Sequence, residues 1–108
     1  LEQSLAGAIS VKRLERSVER RFVQLLDDRG LEHVKFTPWS RTGRPDRLVL
    51  LPGGRPVFVE LKRSGEVPRP LQDHVINELR QLGYPVIVED DADRAFLLVL
   101  QHGGLTRE

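Results

Sequence analysis

The stretch from Gly43 to Arg63, GRPDRLVLLPGGRPVFVELKR, constrains the fold more than any other part of the chain. Two apolar runs flank a Pro-Gly-Gly turn, which specifies a β-hairpin with strands Arg47–Leu51 and Pro56–Lys62 joined at Pro52–Arg55. Side chains alternate along a strand, so Val57, Val59 and Leu61 share one face while Glu60 and Lys62 share the other. With the turn centred near Gly53, position 46 falls across from position 60, give or take one residue. An odd-length loop places Asp46 and Glu60 on the same side of the sheet, and an even one separates them. In the first case Asp46, Glu60 and Lys62 converge at the open end of an otherwise apolar hairpin.

The rest of the chain supplies layers to cover that hairpin. Leu14, Val18, Phe22, Leu25 and Leu26 recur at helical spacing, which predicts a helix from Ser10 to Arg29 stopped by Gly30. LEHVKFT (31–37) reads as a strand, and PWSRTGRP (38–45) as a loop rich in breakers and basic side chains. After the hairpin, RSGEVPRP (63–70) is a second loop, and Pro70 suits the first turn of a helix over Leu71–Leu82. Val75, Ile76, Leu79 and Leu82 form its apolar face, and Gly83 ends it. YPVIVED (84–90) reads as a short buried strand. DADRAFLLVLQHGG (91–104) opens with acids and closes on glycine, which favours a last helix, with a strand over Phe96–Leu100 as the alternative. The expected order is α-β-β-β-α-β-α, an α/β sandwich with a mixed sheet flanked by helices.

A chain of 108 residues supports one domain, with its core within about residues 10–102. Charged residues make up 31% of the chain but net charge is only +1, so whole-molecule attraction to nucleic acid is weak. Arginines nevertheless cluster around 13–21, 41–47 and 63–69, which allows a local basic surface. The absence of cysteine removes disulfides and cysteine-based zinc sites and fits an intracellular, cytoplasmic protein. No run approaches the ~18 apolar residues of a membrane span, and no signal peptide is recognisable. The lack of any methionine implies that Leu1 is not the natural first residue.

Two carboxylates a short distance apart repel, and one pKa rises unless a cation compensates. Lys62 neutralises only part of the charge on Asp46 and Glu60. A divalent cation does so better, since Mg²⁺ takes one or two carboxylates and completes its shell with water and phosphate oxygens. It activates a water and stabilises charge developing on phosphate, with Lys62 placed to hold the water or share that stabilisation. This is the logic of phosphodiester hydrolysis. The plainer reading is a salt bridge between Lys62 and Glu60 or Asp46.

GRPDRLVLLPGGRPVFVELKR, a Pro-rich loop and then LQDHVINELRQLGYPVIVED together resemble the VRR-NUC domain (virus-type replication-repair nuclease), a branch of the PD-(D/E)XK nuclease superfamily. The resemblance spans roughly Glu15 to Asp91. It implies a Mg²⁺- or Mn²⁺-dependent, structure-selective DNA endonuclease with no small-molecule organic cofactor and no membrane attachment. Asp46 and Glu60 would be metal ligands, with the Leu61 carbonyl a third, and Lys62 would be catalytic. The family pattern adds a Gln early in the following helix, matched by Gln72, and a Glu in the first helix. Stand-alone members of this kind, often phage-encoded and acting in the host cell, resemble homodimers that cleave four-way (Holliday) junctions. Flaps, nicks and duplex ends are alternative substrates. A non-catalytic DNA-binding module with this fold is a different alternative, but clustered carboxylates would only repel phosphate there.

At 100° per residue Glu15 projects between Phe22 and Leu26, at the edge of the apolar stripe, whereas Glu19 lies further round toward solvent. A core-side Glu needs a partner, so Glu15 is the expected helix ligand and Glu19 the reserve; a flank ion pair is the plainer role for Glu15. Gln72 either lines the site or faces solvent. Trp39 could stack on an unpaired base or simply pack, and Arg41, Arg44, Arg63 and Arg69 contact phosphates or are solvated loop residues. His33, His74 and His102 lack metal-ligand spacing and read as surface or capping residues.

Overall fold

The structure is a computed structural model and describes residues 17–36, 45–62 and 69–107. Residues 17–29 form helix α1. It is followed by strands β1 (Glu32–Lys35), β2 (Arg47–Leu51) and β3 (Arg55–Leu61), helix α2 (Pro70–Gln81), strand β4 (Val86–Glu89) and helix α3 (Ala92–His102). The order is the one read from the sequence, and the last segment is the helix rather than the strand. Asp91 explains that choice, because its side chain accepts from the Arg94 N–H at 2.9 Å and caps the first turn.

The four strands lie in chain order, antiparallel from β1 to β3 and parallel between β3 and β4. A parallel pair cannot be joined by a tight turn, and α2 is the crossover. The core face carries Val49, Leu51, Val57, Val59 and Ile87, packed against Phe22 and Leu26 of α1 and Ala92, Ala95, Val99 and Leu100 of α3. Val49, Val57 and Val59 are fully buried, each worth about 1.5–3 kcal/mol relative to exposure. Helix α2 packs against β4 through Val75 and Ile76, buried outside that cluster. One expected member of its apolar face departs from the reading: the helix ends at Gln81, and Leu82 is its C-cap, 74% exposed, while Leu79 is partly buried. Leu82 lies past the last turn, beyond the part of α2 that packs on β4.

The turn is one residue shorter than the sequence suggests. Arg55 pairs with Leu51, so the loop is Pro52–Gly54 and the strand begins at Arg55 rather than Pro56. Gly53 and Gly54 both adopt positive φ, 82° and 71°, which reverses the chain within three residues. The odd loop has a large effect on parity: Arg47 lies opposite Val59, and one rung further Asp46 lies opposite Glu60. A four-residue turn would have placed them on opposite faces.

A Cβ added to Gly54 would meet nothing within 4 Å, so substitution there tests backbone conformation alone. Gly54→Val is expected to destabilise by about 1–2 kcal/mol, and Gly54→Asn, which tolerates the left-handed region, by clearly less. Chemical denaturation of the two variants measures the difference, and equal losses would refute the conformational account.

Candidate active site

The open end of the hairpin gathers the three residues singled out by spacing. Glu60 is only 2% exposed although it is a carboxylate on the face away from the main core. Its two oxygens are met separately. The Asp46 backbone N–H donates to Oε1 at 3.0 Å, and Lys62 Nζ lies 2.9 Å from Oε2. Lys62 itself is largely buried, and its backbone N–H donates to the Glu89 carbonyl at 2.7 Å, anchoring the chain to β4 just beyond the end of β3. A buried pair of this kind differs from a solvated surface bridge, because removing either partner strands a charge at a cost of about 3–5 kcal/mol.

Asp46 keeps part of its surface open at the sheet end, but its carboxyl group is partly desolvated beside that of Glu60. Burial of the carboxyl, then the Glu60 charge and the bond between the two groups, push its pKa up to about 6. A hydrogen bond from the Leu61 backbone opposes this, and the charge of Glu19 adds a smaller upward push. Lys62 has therefore not relieved the repulsion, because it is spent on Glu60. The donor chemistry fits a hard divalent cation: two crowded carboxylates and a shortage of positive charge. Among the described residues no cluster of three or more His, Asp or Glu side chains could hold a metal ion, so these two carboxylates would need main-chain, water or substrate oxygens beside them.

Gln72 lies in the first turn of α2, half-buried, and its Oε1 is buried without a hydrogen-bond partner. An orphaned acceptor is costly, and it would accept a hydrogen bond from a bound water or ammonium. Arg69, the N-cap residue of α2, is exposed and makes no capping bond through its side chain. A cleft of about 210 Å³ lined by Lys62, Val88, Glu89 and Asp90 opens beside the site at the carboxyl ends of β3 and β4, the end of a parallel pair where ligands characteristically bind. Glu15, Trp39, Arg41, Arg44 and Arg63 lie outside the described residues.

Glu19 and His33 sit differently from the sequence expectation. Glu19 does not face open solvent: it is half-buried, with Oε1 2.9 Å from Lys35 Nζ and 3.0 Å from Arg47 Nη2. Partial burial works to raise its pKa, but the hydrogen bonds and charges of Lys35 and Arg47 prevail and hold it below the ordinary carboxylate value. His33 is not a surface residue either. Its side chain is 14% exposed and bridges Arg47, at 2.8 Å from Nδ1, and Asp27, at 2.8 Å from Nε2. Helical periodicity missed this because the flank of α1 is covered by side chains of β1 and β2, distant in sequence. His74 forms an exposed pair with Glu78, and His102 lies exposed in the last turn of α3.

An α-β-β-β-α-β-α sandwich with Asp at one hairpin end and Glu-x-Lys at the other is the architecture of the PD-(D/E)XK superfamily. No family model matches the sequence. The chain is 42% identical over 84 residues to a protein of Acyrthosiphon pisum secondary endosymbiont phage 1 named "Putative nuclease p44", covering 78% of this chain and 90% of that protein. A solved structure described as a VRR_NUC domain superimposes with a TM-score of 0.70 at 29% identity, over 80% of this chain and 94% of the other. The chain belongs to the VRR-NUC family. Among the described residues no helix is long and apolar enough to cross a membrane.

The raised pKa of Asp46 has a measurable consequence. The folded chain holds the Asp46 proton between its ordinary value of 3.8 and about 6, where the unfolded chain has lost it. Asp46 therefore subtracts stability as pH rises through that window, and the penalty is complete above it. In EDTA, Asp46→Asn is expected to gain stability relative to the wild type between about pH 4 and about pH 7. Saturating Mg²⁺ should narrow that gap. Thermal denaturation across this range checks it, and a pH-independent gap would count against the raised value.

Proposed function

We propose that this protein is a Mg²⁺- or Mn²⁺-dependent, structure-selective DNA endonuclease that acts as a homodimer on four-way junctions inside the host cell. The observation that carries the reading is the pairing of Asp46 with Glu60 under an unrelieved excess of negative charge, with Lys62 2.9 Å from Glu60. Family membership supports nuclease chemistry, and the name of the phage relative points the same way.

Asp46 and Glu60 would hold the metal with the Leu61 carbonyl, and Glu15 would contribute from the first helix, the reserve Glu19 being held instead by Lys35 and Arg47. Such an ion supplies charge stabilisation at a phosphate oxygen and a nucleophilic water at neutral pH. Lys62 would orient that water or stabilise charge on the phosphate. The orphaned Oε1 of Gln72 would accept a hydrogen bond from the water or from Lys62 and so fix its direction. Arg41, Arg44, Arg63 and Arg69 would contact phosphates, and Trp39 would stack on an unpaired base at the branch. Two copies related by a two-fold axis suit paired nicks in a symmetric junction.

Incubating the protein with labelled four-way junction, flap, nicked and linear duplex DNA in Mg²⁺, Mn²⁺ or EDTA tests the reading. Junction cleavage should require the metal and fall by on the order of 10²-fold or more in Lys62→Ala, in line with the loss of one stabilising donor. Cleavage that persists in EDTA would overturn the metal mechanism. Equal cutting of linear duplex or flap would overturn junction selectivity, and tight junction binding without cleavage would identify a binding module.

A further inference from the structure

We propose that Arg47 is a positioning residue for the acidic pair, its buried guanidinium gripped by Glu19 of α1 and His33 of β1 so that the strand end bearing Asp46 is fixed. The inference rests on reading Asp46, Glu60 and Lys62 as the hydrolytic centre.

Arg47 and Glu60 are the charged residues buried among the described ones, at 9% and 2% exposure. They occupy successive rungs of the hairpin on opposite faces, since Arg47 lies opposite Val59 and Asp46 opposite Glu60. An apolar side chain at position 47 would join Val49, Val57 and Val59, and replacing a buried ion pair with apolar groups is often neutral or stabilising. Core stability alone therefore does not call for an arginine there. A forked guanidinium adds direction, because each arm fits one acceptor in one geometry. One arm reaches Glu19 at 3.0 Å and the other His33 Nδ1 at 2.8 Å. Lys35, directly across from Arg47 on β1, reaches the same Glu19 oxygen at 2.9 Å. Both α1 and β1 are thereby fastened to the rung adjoining Asp46, whose carbonyl also accepts from the Phe36 N–H at 3.1 Å.

The chemistry of this ring leaves one protonation pattern. A guanidinium only donates, so His33 Nδ1 must accept, and Nε2 carries the hydrogen and donates to Asp27. The groups facing His33 are Asp27 from α1 and Arg47 from β2, with Lys35 on the same face of β1 and Glu19 bridging Lys35 and Arg47. Asn at position 33 offers an amide oxygen in place of Nδ1.

The test compares Arg47→Met, Arg47→Lys, His33→Asn and, as a core-destabilised control away from the ring, Val18→Ala. In Arg47→Met, kcat on labelled junction DNA is expected to fall by on the order of 10²-fold, the usual cost of a displacement near 1 Å. KM should stay within about twofold, and Mn²⁺ affinity measured by calorimetry should weaken. Arg47→Lys, which keeps the charge and loses the fork, should lose kcat similarly and serves if Arg47→Met does not fold. His33→Asn, which keeps an acceptor for that arm of the guanidinium, should lose clearly less kcat than Arg47→Met. Nitrogen NMR should find His33 with Nε2 protonated and Nδ1 bare. Wild-type kcat and Mn²⁺ affinity in Arg47→Met, a loss in Val18→Ala equal to that in Arg47→Met, or a protonated Nδ1 would each overturn the proposal. If the wild type cuts no DNA the hydrolytic reading fails, while Mn²⁺ affinity and the His33 tautomer still judge the role of Arg47.

Discussion

Glu60 is a carboxylate with 2% exposure, and the site depends on how its charge is accommodated. Taking such a group out of water costs several kcal/mol unless its oxygens are met. One is met by the Asp46 N–H and the other by Lys62. Lys62 follows Glu60 by two on the same strand end, but the amide donor of Asp46 is reached in only one register of the hairpin. Shifting β2 by a single residue would turn Asp46 to the core face and Glu60 away from its amide donor, while Val57 and Val59 kept the strand where it is. The three-residue turn with two left-handed glycines therefore fixes more than a loop shape. It selects the register in which the buried charge is tolerable and in which the Asp46 carboxyl is drawn against it.

The two faces of the hairpin end are electrostatically unlike. On one, acids outnumber the available cation and Asp46 titrates near 6. On the other, Arg47 and Lys35 share Glu19, and His33 links Arg47 to Asp27. An excess of acid on one side of a sheet end and a balanced network on the other is a sign of a site rather than of optimised stability, since each buried charge would be cheaper as an apolar residue. The core itself, from Phe22 and Leu26 through Val99 and Leu100, needs neither set to fill its volume.

Much of this was legible in the sequence because period-two alternation is local. Val57, Val59, Glu60 and Lys62 declare their faces within a few residues, and glycine and proline mark where the strand must stop. The exact turn length was not legible, since Arg55 can end a loop or begin a strand until its pairing with Leu51 decides. The arrangement of Glu19, His33 and Arg47 was hidden for a stronger reason: it joins α1, β1 and β2 across intervals that no periodicity spans. Leu82 was misjudged because helix phase says which way a side chain points but not whether anything lies there.

The proton and the proposed cation compete for one place. Lys62 is committed to Glu60, so in the metal-free protein the cheapest relief for Asp46 is a proton taken up below about pH 6. Asp46 and Glu60 would hold a divalent cation in place of that proton, and Lys62 would then be less strongly drawn to Glu60. The ammonium would then become available for the phosphate at the moment the site is loaded. The 2.9 Å contact between Lys62 and Glu60 makes the buried carboxylate tolerable, and the same contact would hold the lysine back from a phosphate.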